Sequence, residues 1–311
     1  MPSDRKPRVL LLGVGCVGGS LLHALLATEA YQLTALVSLP EQVGVLEEMG
    51  VHAVLGSIDD EEFVFDLVVE HEVIIHTGCT GHESGIKMVM YSIARRPSGS
   101  RPPVFIYTSS AHRLLSGGKS SSMYSDEHPE HIDMLLWSKK GAAPSVELSI
   151  QREVYWDRVG KARVAIIAPG VIFGVGSGPF DRVSPSVREL INDLVSAYLT
   201  LLSGLLSNPP QTRYAFTQVE PRLWMSVPSL YFFAETGEHS RKEGQSVFTG
   251  LDGEEDAASE TNACTAALER TKTAFRCRGD TLREWGWEGK QAESFVEGRA
   301  RELELLAKEN A

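Results

Sequence analysis

The sequence predicts an α/β protein with a doubly wound parallel sheet and a small α-rich C-terminal lobe. Three observations predict it. Short, wholly apolar runs recur through the first half of the chain, as in strands covered on both faces. Segments with helical spacing separate them, which implies right-handed crossovers. One such run, Val9 to Leu12, meets a glycine cluster that opens an apolar helix.

The elements follow in order. Val9 to Leu12 is strand one. Residues 19 to 30 form a helix, with Leu21, Leu22, Leu25 and Leu26 on one face. Leu33 to Val37 is strand two, 41 to 49 a helix that Gly50 stops, and Val51 to Leu55 strand three. Asp59 or Asp60 caps a helix reaching about Glu70, and Val73 to His76 is strand four. A helix over 84 to 95 and a loop rich in Arg, Pro, Ser and Gly lead to strand five, Val104 to Thr108. A Ser/Gly-rich loop, a helix over 146 to 158 and strand six, Arg163 to Ala168, complete this half. The expected division is a dinucleotide-type domain over 1–182 and a substrate lobe over 183–311. Within the lobe, 187 to 207 reads as helix, 208 to 260 as partly irregular, and 262 to 276 and 292 to 310 as helices.

Composition narrows the partners. The 311 residues carry 30 Lys+Arg against 41 Asp+Glu, a formal net charge of -11. Such a surface disfavours nucleic acid. Cys16, Cys79, Cys264 and Cys277 are scattered, without the pairing of a disulfide framework or a zinc site, so no metal is expected and the compartment reads as reducing and cytoplasmic. The N-terminus lacks a signal-peptide pattern. Leu194 to Ser207 is shorter than a bilayer span and reads as a buried helix, so no membrane partner is expected.

The chemical signal is Gly13-Val14-Gly15-Cys16-Val17-Gly18. Placed between a buried strand and an apolar helix, this spacing allows a tight turn, close approach of a pyrophosphate, and close packing of helix on strand. Amides at the helix start then face the anion. The expected cofactor is NAD or NADP. The deciding residue, about 20 positions on at the end of strand two, is Ser38, which neither repels nor clamps a 2′-phosphate, so the choice stays open.

The run from Val9 through Leu22, Val73-Ile-Ile-His-Thr-Gly78, Phe105-Ile-Tyr-Thr-Ser-Ser-Ala111 and Ile166-Ile-Ala-Pro169 through Phe180 resemble extended and atypical short-chain dehydrogenase/reductases, the NAD-dependent epimerase/dehydratase and NmrA-like group. Tyr231 to Ser240 and Arg283-Glu-Trp-Gly-Trp287 resemble late segments of its fungal members. The resemblance implies a Rossmann domain acting on a small hydroxy or keto compound, with secondary metabolism as a pathway guess. It implies that Gly13, Gly15, Val17 and Gly18 line the pyrophosphate, that Ser38 sits by the ribose, and that Ser57 and Ile58 flank adenine. Thr77, Gly78 and Thr108 would lie along the cofactor, with Pro169 near the nicotinamide and Ser110 in the catalytic serine position. Ser57 departs from the aspartate usual there.

A larger departure concerns the proton donor. In this group a Tyr and a Lys four residues later share one helix face. None of the eight tyrosines has Lys at that spacing. Tyr124, His112 and Lys139 are the substitute acids considered, and Tyr124 is carried as the candidate. The alternative is a non-catalytic, NmrA-like dinucleotide sensor. A small molecule is the expected partner. Oligomeric state, a homodimer among the options, is not legible.

Overall fold

The computed structural model describes residues 5–78, 82–96, 102–115, 122–138, 146–155, 162–170, 172–173, 176–180, 189–207, 214–218, 224–228, 231–234 and 276–288. Its centre is a seven-stranded, wholly parallel sheet. The strands are β1 (Arg8–Leu12), β2 (Gln32–Val37), β3 (His52–Leu55), β4 (Val73–His76), β5 (Val104–Thr108), β7 (Arg163–Pro169) and β12 (Tyr231–Ala234). Their order is β12-β7-β5-β4-β1-β2-β3. The chain reverses direction across the sheet at β1, between β2 and β4, which opens a crevice at the strands' C-terminal ends.

Two apolar layers sandwich this sheet. Val9, Leu11, Ile75 and Ile106 meet helices α1 (Cys16–Thr28), α2 (Pro40–Glu48) and α8 (Ile191–Ser207). Leu10, Ile74, Phe105 and Ile166 meet α3 (Glu61–Glu70), α4 (Glu83–Ala94), α6 (Pro129–Ser138) and α7 (Val146–Tyr155) on the other face. The period-2 alternation of each buried strand sends neighbouring side chains to opposite layers. Asp60, of the two expected caps, accepts the Phe63 amide at the start of α3.

The seventh strand and one covering helix come from beyond residue 182, in the part read as a separate lobe. The apolar run Tyr231-Phe-Phe-Ala234, fully buried, pairs with β7. Helix α8 buries Leu194, Tyr198, Leu201 and Leu205 in the core. Its last carbonyls are held by the Arg163 guanidinium. Among the described residues no helix is long and apolar enough to cross a membrane. The stretch after β5, read as loop, instead contains α5 (Ala111–Leu114), β6 (Met123–Ser125) and α6. Strand β6 pairs in parallel with β13 (Arg276–Arg278), so its partner lies far along the chain and no local pattern announces it. The helix expected over 262–276 falls outside the described residues except at its end, where Arg276 begins β13; that expected over 292–310 falls wholly outside them.

Short pieces complete the described chain. Strands β8 (Ile172–Phe173) and β9 (Glu189–Leu190) pair in parallel, and β10 (Tyr214–Gln218) forms an antiparallel ladder with β11 (Trp224–Pro228). Helix α9 (Asp280–Glu284) ends in Trp285-Gly286-Trp287. Trp285 packs its ring against Phe232 at 5.3 Å, and Trp287 donates its indole N–H to Ser196 Oγ at 2.9 Å. A side chain at Gly204 would run into the Trp285 ring, so this C-terminal turn seats on α8 through the one position where the helix offers bare backbone.

Candidate active site

The expected site residues gather at one edge of the sheet because each lies just beyond a strand end. Leu12 stands level with Leu36 and His76, Val37 with Leu55, and His76 with Tyr107. Gly13, Ser38, Gly56 and Thr77 therefore follow in neighbouring positions along the crevice.

Gly13 has φ +108°, a conformation that L side chains rarely adopt. A Cβ there would also lie 2.7 Å from the Gly78 backbone. Thr77 locks this approach from the other side, donating its hydroxyl to Gly13 O at 2.8 Å. At Gly18 a Cβ would overlap Gly13 O and Thr77 Oγ1. Gly15 is the N-cap of α1, and no side chain caps that helix. The N–H groups of the first turn are thus not consumed by a cap, and the positive end of the helix opens on the crevice. Val17 is half-buried in the same turn. The residues present fit a pyrophosphate: uncapped helix amides, and backbone bare enough for close approach.

The loop after β7 packs on the outside of this turn. Ser177 N donates to Ser20 Oγ at 3.1 Å, and Ser20 Oγ donates to Cys16 O at 2.7 Å. Gly178 lies against Gly19 so closely that a Cβ on either would meet the other's backbone. Pro169 is buried at the end of β7.

At the far end Ser38 is exposed directly after β2. Ser57 is exposed after β3 and donates to Asp59 Oδ2 at 3.1 Å, while Ile58 packs under Gly85. His82 caps α4 by accepting Gly85 N–H at Nδ1, which leaves Nε2 to donate to Asp59 Oδ1 at 3.0 Å. This His82–Asp59–Ser57 chain ties two loops across the crevice.

At the β5 end the two serines differ. Ser109 is buried and donates to Glu147 Oε1 at 2.6 Å, and Arg113 Nε reaches the same oxygen at 3.3 Å. Ser110 is half-buried and caps α5, accepting Arg113 N–H at 3.2 Å. That cap occupies an oxygen lone pair, so the hydroxyl hydrogen remains available to donate. Thr108 is buried with its hydroxyl bonded to Tyr198 OH, whose acidity burial lowers against the pull of that bond. Tyr124 lies on β6 rather than in an overhanging loop and is buried in the apolar cluster under α6. The side chains of His112 and Lys139 lie outside the described residues, as do Cys79 and Cys264.

Sequence reasoning missed the buried polar residues of α7. Glu147 and Gln151, one turn apart, are both buried; Gln151 reaches Asp133, which also accepts Tyr231 OH at 2.7 Å. Two polar residues at i, i+4 facing an apolar layer were the available signal. Their partners are distant in sequence, which hid the network.

His76 is a second missed group. It is 2 % exposed, stacks on Tyr107 at 5.3 Å, and its Nδ1 has no hydrogen-bond partner. Burial, aided by nearby His82, pushes its pKa down to about 4. A base whose folded pKa lies below its unfolded one contributes stability fully above about 6.5 and loses it as pH falls towards 4. The wild type should therefore lose up to about 3 kcal/mol more than His76→Phe between pH 7 and pH 4. Thermal melts of both proteins across that range check this; parallel curves would remove the assignment.

No family model matches this chain, and no curated protein matches it. Solved structures do. A yeast methylglyoxal/isovaleraldehyde reductase, Gre2, complexed with NADPH, superposes with a TM-score of 0.60 at 13% identity, covering 97% of this chain and 99% of its own. A UDP-glucose 4-epimerase from Thermotoga maritima, with UDP-glucose, gives 0.59 at 14% identity over 98% and 100%. Gre2 from Candida albicans gives 0.59 at 15% identity over 95% and 98%. At these identities the likeness establishes the fold, which this chain shares with those reductases and the epimerase along nearly its whole length.

Proposed function

We propose that the chain is an NAD(P)-dependent oxidoreductase or epimerase-like enzyme acting on a small hydroxy or keto compound. The observation that carries the reading is the backbone junction of Gly13 and Gly18 with Gly78, where a Cβ on either of the first two would run into neighbouring backbone, at the start of a helix that no side chain caps. Reductases and an epimerase that share the fold support the reaction class.

A bound nicotinamide dinucleotide would supply hydride transfer. The glycine turn and first amides of α1 hold the pyrophosphate. Thr77 fixes the junction between β1 and β4. Ser110 polarises the substrate oxygen with a hydrogen bond from its hydroxyl, whose position is set by the Arg113 N–H donating to Ser110 Oγ. The proton for the developing alkoxide comes from a separate acid on the loops beyond β5. Glu147 anchors this strand end through Ser109 and Arg113. A pathway in secondary metabolism and a cytoplasmic location are part of the same proposal, as is the lobe over 183–311 as the substrate-binding part.

The dinucleotide-sensor reading has one specific observation in its favour. The buried i, i+4 pair on α7, Glu147 and Gln151, is spent on internal contacts and offers no proton to a substrate.

The test is in two stages. NADH and NADPH are titrated by fluorescence, then a panel of carbonyl compounds is screened for cofactor oxidation. For the enzyme, Ser110→Ala should lower turnover about 10²-fold with nucleotide affinity unchanged, and Ser110→Thr should restore most of it. Binding without turnover across the panel would establish the sensor instead.

A further inference from the structure

We infer that the adenosine end of the crevice is built for a dinucleotide without a 2′-phosphate, NAD(H) rather than NADP(H); this rests on the dinucleotide reading above. The shared fold does not decide the choice, because the position that discriminates is local. In this fold it is the end of β2, where the ribose hydroxyls lie. Here that position is Ser38, exposed directly beyond Val37.

A phosphate dianion needs a cation or a full set of free amides; among the described residues the corner provides no Lys or Arg, and several of its amides are already bonded. Between Arg8 and Lys87 the sequence contains no lysine or arginine, yet it carries twelve aspartates and glutamates. The two flanking cations are committed elsewhere. Arg8 approaches Glu72 at the start of β1, the opposite end of the strand, and Lys87 pairs with Glu83 at 2.7 Å. The start of α2 would be the natural amide receptor. Its N-cap, Leu39, contributes no side chain, Pro40 at the next position has no N–H, and Gln42 N–H is bonded to Leu39 O at 3.0 Å. Glu41 then sets a carboxylate in that first turn, on the positive pole that a phosphate would otherwise use.

The opposite wall spends two of its amides in the same way. Gly56 N is bonded to Val37 O at 2.9 Å, and Asp59 N to Ser57 Oγ at 3.1 Å. Behind them the Asp59 carboxylate faces Ser57 and His82. A ribose hydroxyl requires much less: it can donate to an acceptor such as Ser38 Oγ, and it carries no charge into the acidic field. The pyrophosphate is unaffected by the missing cations because α1 amides receive it.

The test is calorimetric titration of the full chain with NAD⁺ and with NADP⁺, at about 20 mM and about 500 mM salt, since screening separates charge repulsion from shape. NAD⁺ should bind at least about tenfold more tightly at low salt, with the preference narrowing at high salt. The double variant Ser38→Arg, Glu41→Gln, confined to exposed side chains, should raise NADP⁺ affinity about tenfold or more relative to NAD⁺. Equal or tighter binding of NADP⁺ by the wild type would overturn the inference. So would an NAD⁺ preference indifferent both to salt and to the double variant. Binding of neither nucleotide would instead overturn the dinucleotide reading itself, and this inference with it.

Discussion

Gly18→Ala is expected to abolish nicotinamide-nucleotide binding and to destabilise the fold by about 1–3 kcal/mol, the usual cost of forcing a methyl into a filled space. The new carbon has nowhere to go. It would overlap the carbonyl oxygen of Gly13, which is backbone, and the hydroxyl of Thr77, which is held by its own bond to that same carbonyl. Relief requires α1 to move away from β1, and that motion carries the helix amides away from the pyrophosphate position. The matched control is Gly44→Ala. Gly44 is exposed in α2 with nothing within 4 Å of a Cβ, so alanine there should stabilise by about 0.5–1 kcal/mol and leave binding untouched. Thermal melts and calorimetry on the two variants read both effects. A Gly18→Ala protein that binds nucleotide like the wild type would remove the glycine junction as the site.

The sequence made the glycine turn legible because Gly13, Gly15 and Gly18 are close in the chain and each does one local thing, whereas the contacts of that turn with Thr77 and Gly78 span more than sixty residues. A buried strand, a positive φ and a close approach all leave a compositional mark within a dozen residues. The central strands were legible for the same reason: Val9 to Leu12 and Val73 to Ile75 have no polar position through which to face water. Strand β12 was not. Tyr231 to Ala234 lies in a turn-rich region, and only its pairing with Ile166 to Pro169, across more than sixty residues, makes it part of the sheet. Helix α7 illustrates a different limit. Its apolar spacing placed it correctly, but Glu147 and Gln151 acquire their meaning from Ser109, Arg113 and Asp133 on other elements. Ser110 was identified by its position in a motif; that it also caps α5, and so has one face of its oxygen already occupied, depended on a helix that the sequence did not announce.

Asp126 is where this non-local dependence should be most costly to break. Its fully buried carboxylate accepts Asp280 N at 2.9 Å, Thr281 N at 3.0 Å and Thr281 Oγ at 3.1 Å on one oxygen, and Phe233 N at 3.1 Å on the other. One side chain thus joins the turn after β6, the last strand of the sheet and the start of α9. Asp126→Ala would strand three backbone donors and a hydroxyl, and should cost at least about 3 kcal/mol, since each buried unsatisfied donor costs about 1–3 kcal/mol. Asp126→Asn keeps an oxygen for the three donors from α9 and opposes only Phe233 N–H with a second donor, so it should lie well above Asp126→Ala in stability. The pH dependence separates the charge from the hydrogen bonds. Burial raises this carboxyl to about 6, against the four bonds that pull it down. An acid whose folded pKa exceeds its unfolded value contributes most below about 4, and that contribution is lost as pH rises through about 6. The stability difference between wild type and Asp126→Asn should therefore shift in the wild type's favour as pH falls from 7 to 4, by up to about 3 kcal/mol. Trp285 and Trp287, seated on α8 just beyond α9, provide the fluorescence signal for denaturant titrations at each pH. If Asp126→Ala unfolds at the same denaturant concentration as the wild type, the last strand and the C-terminal turn are held by their tryptophan and phenylalanine packing alone.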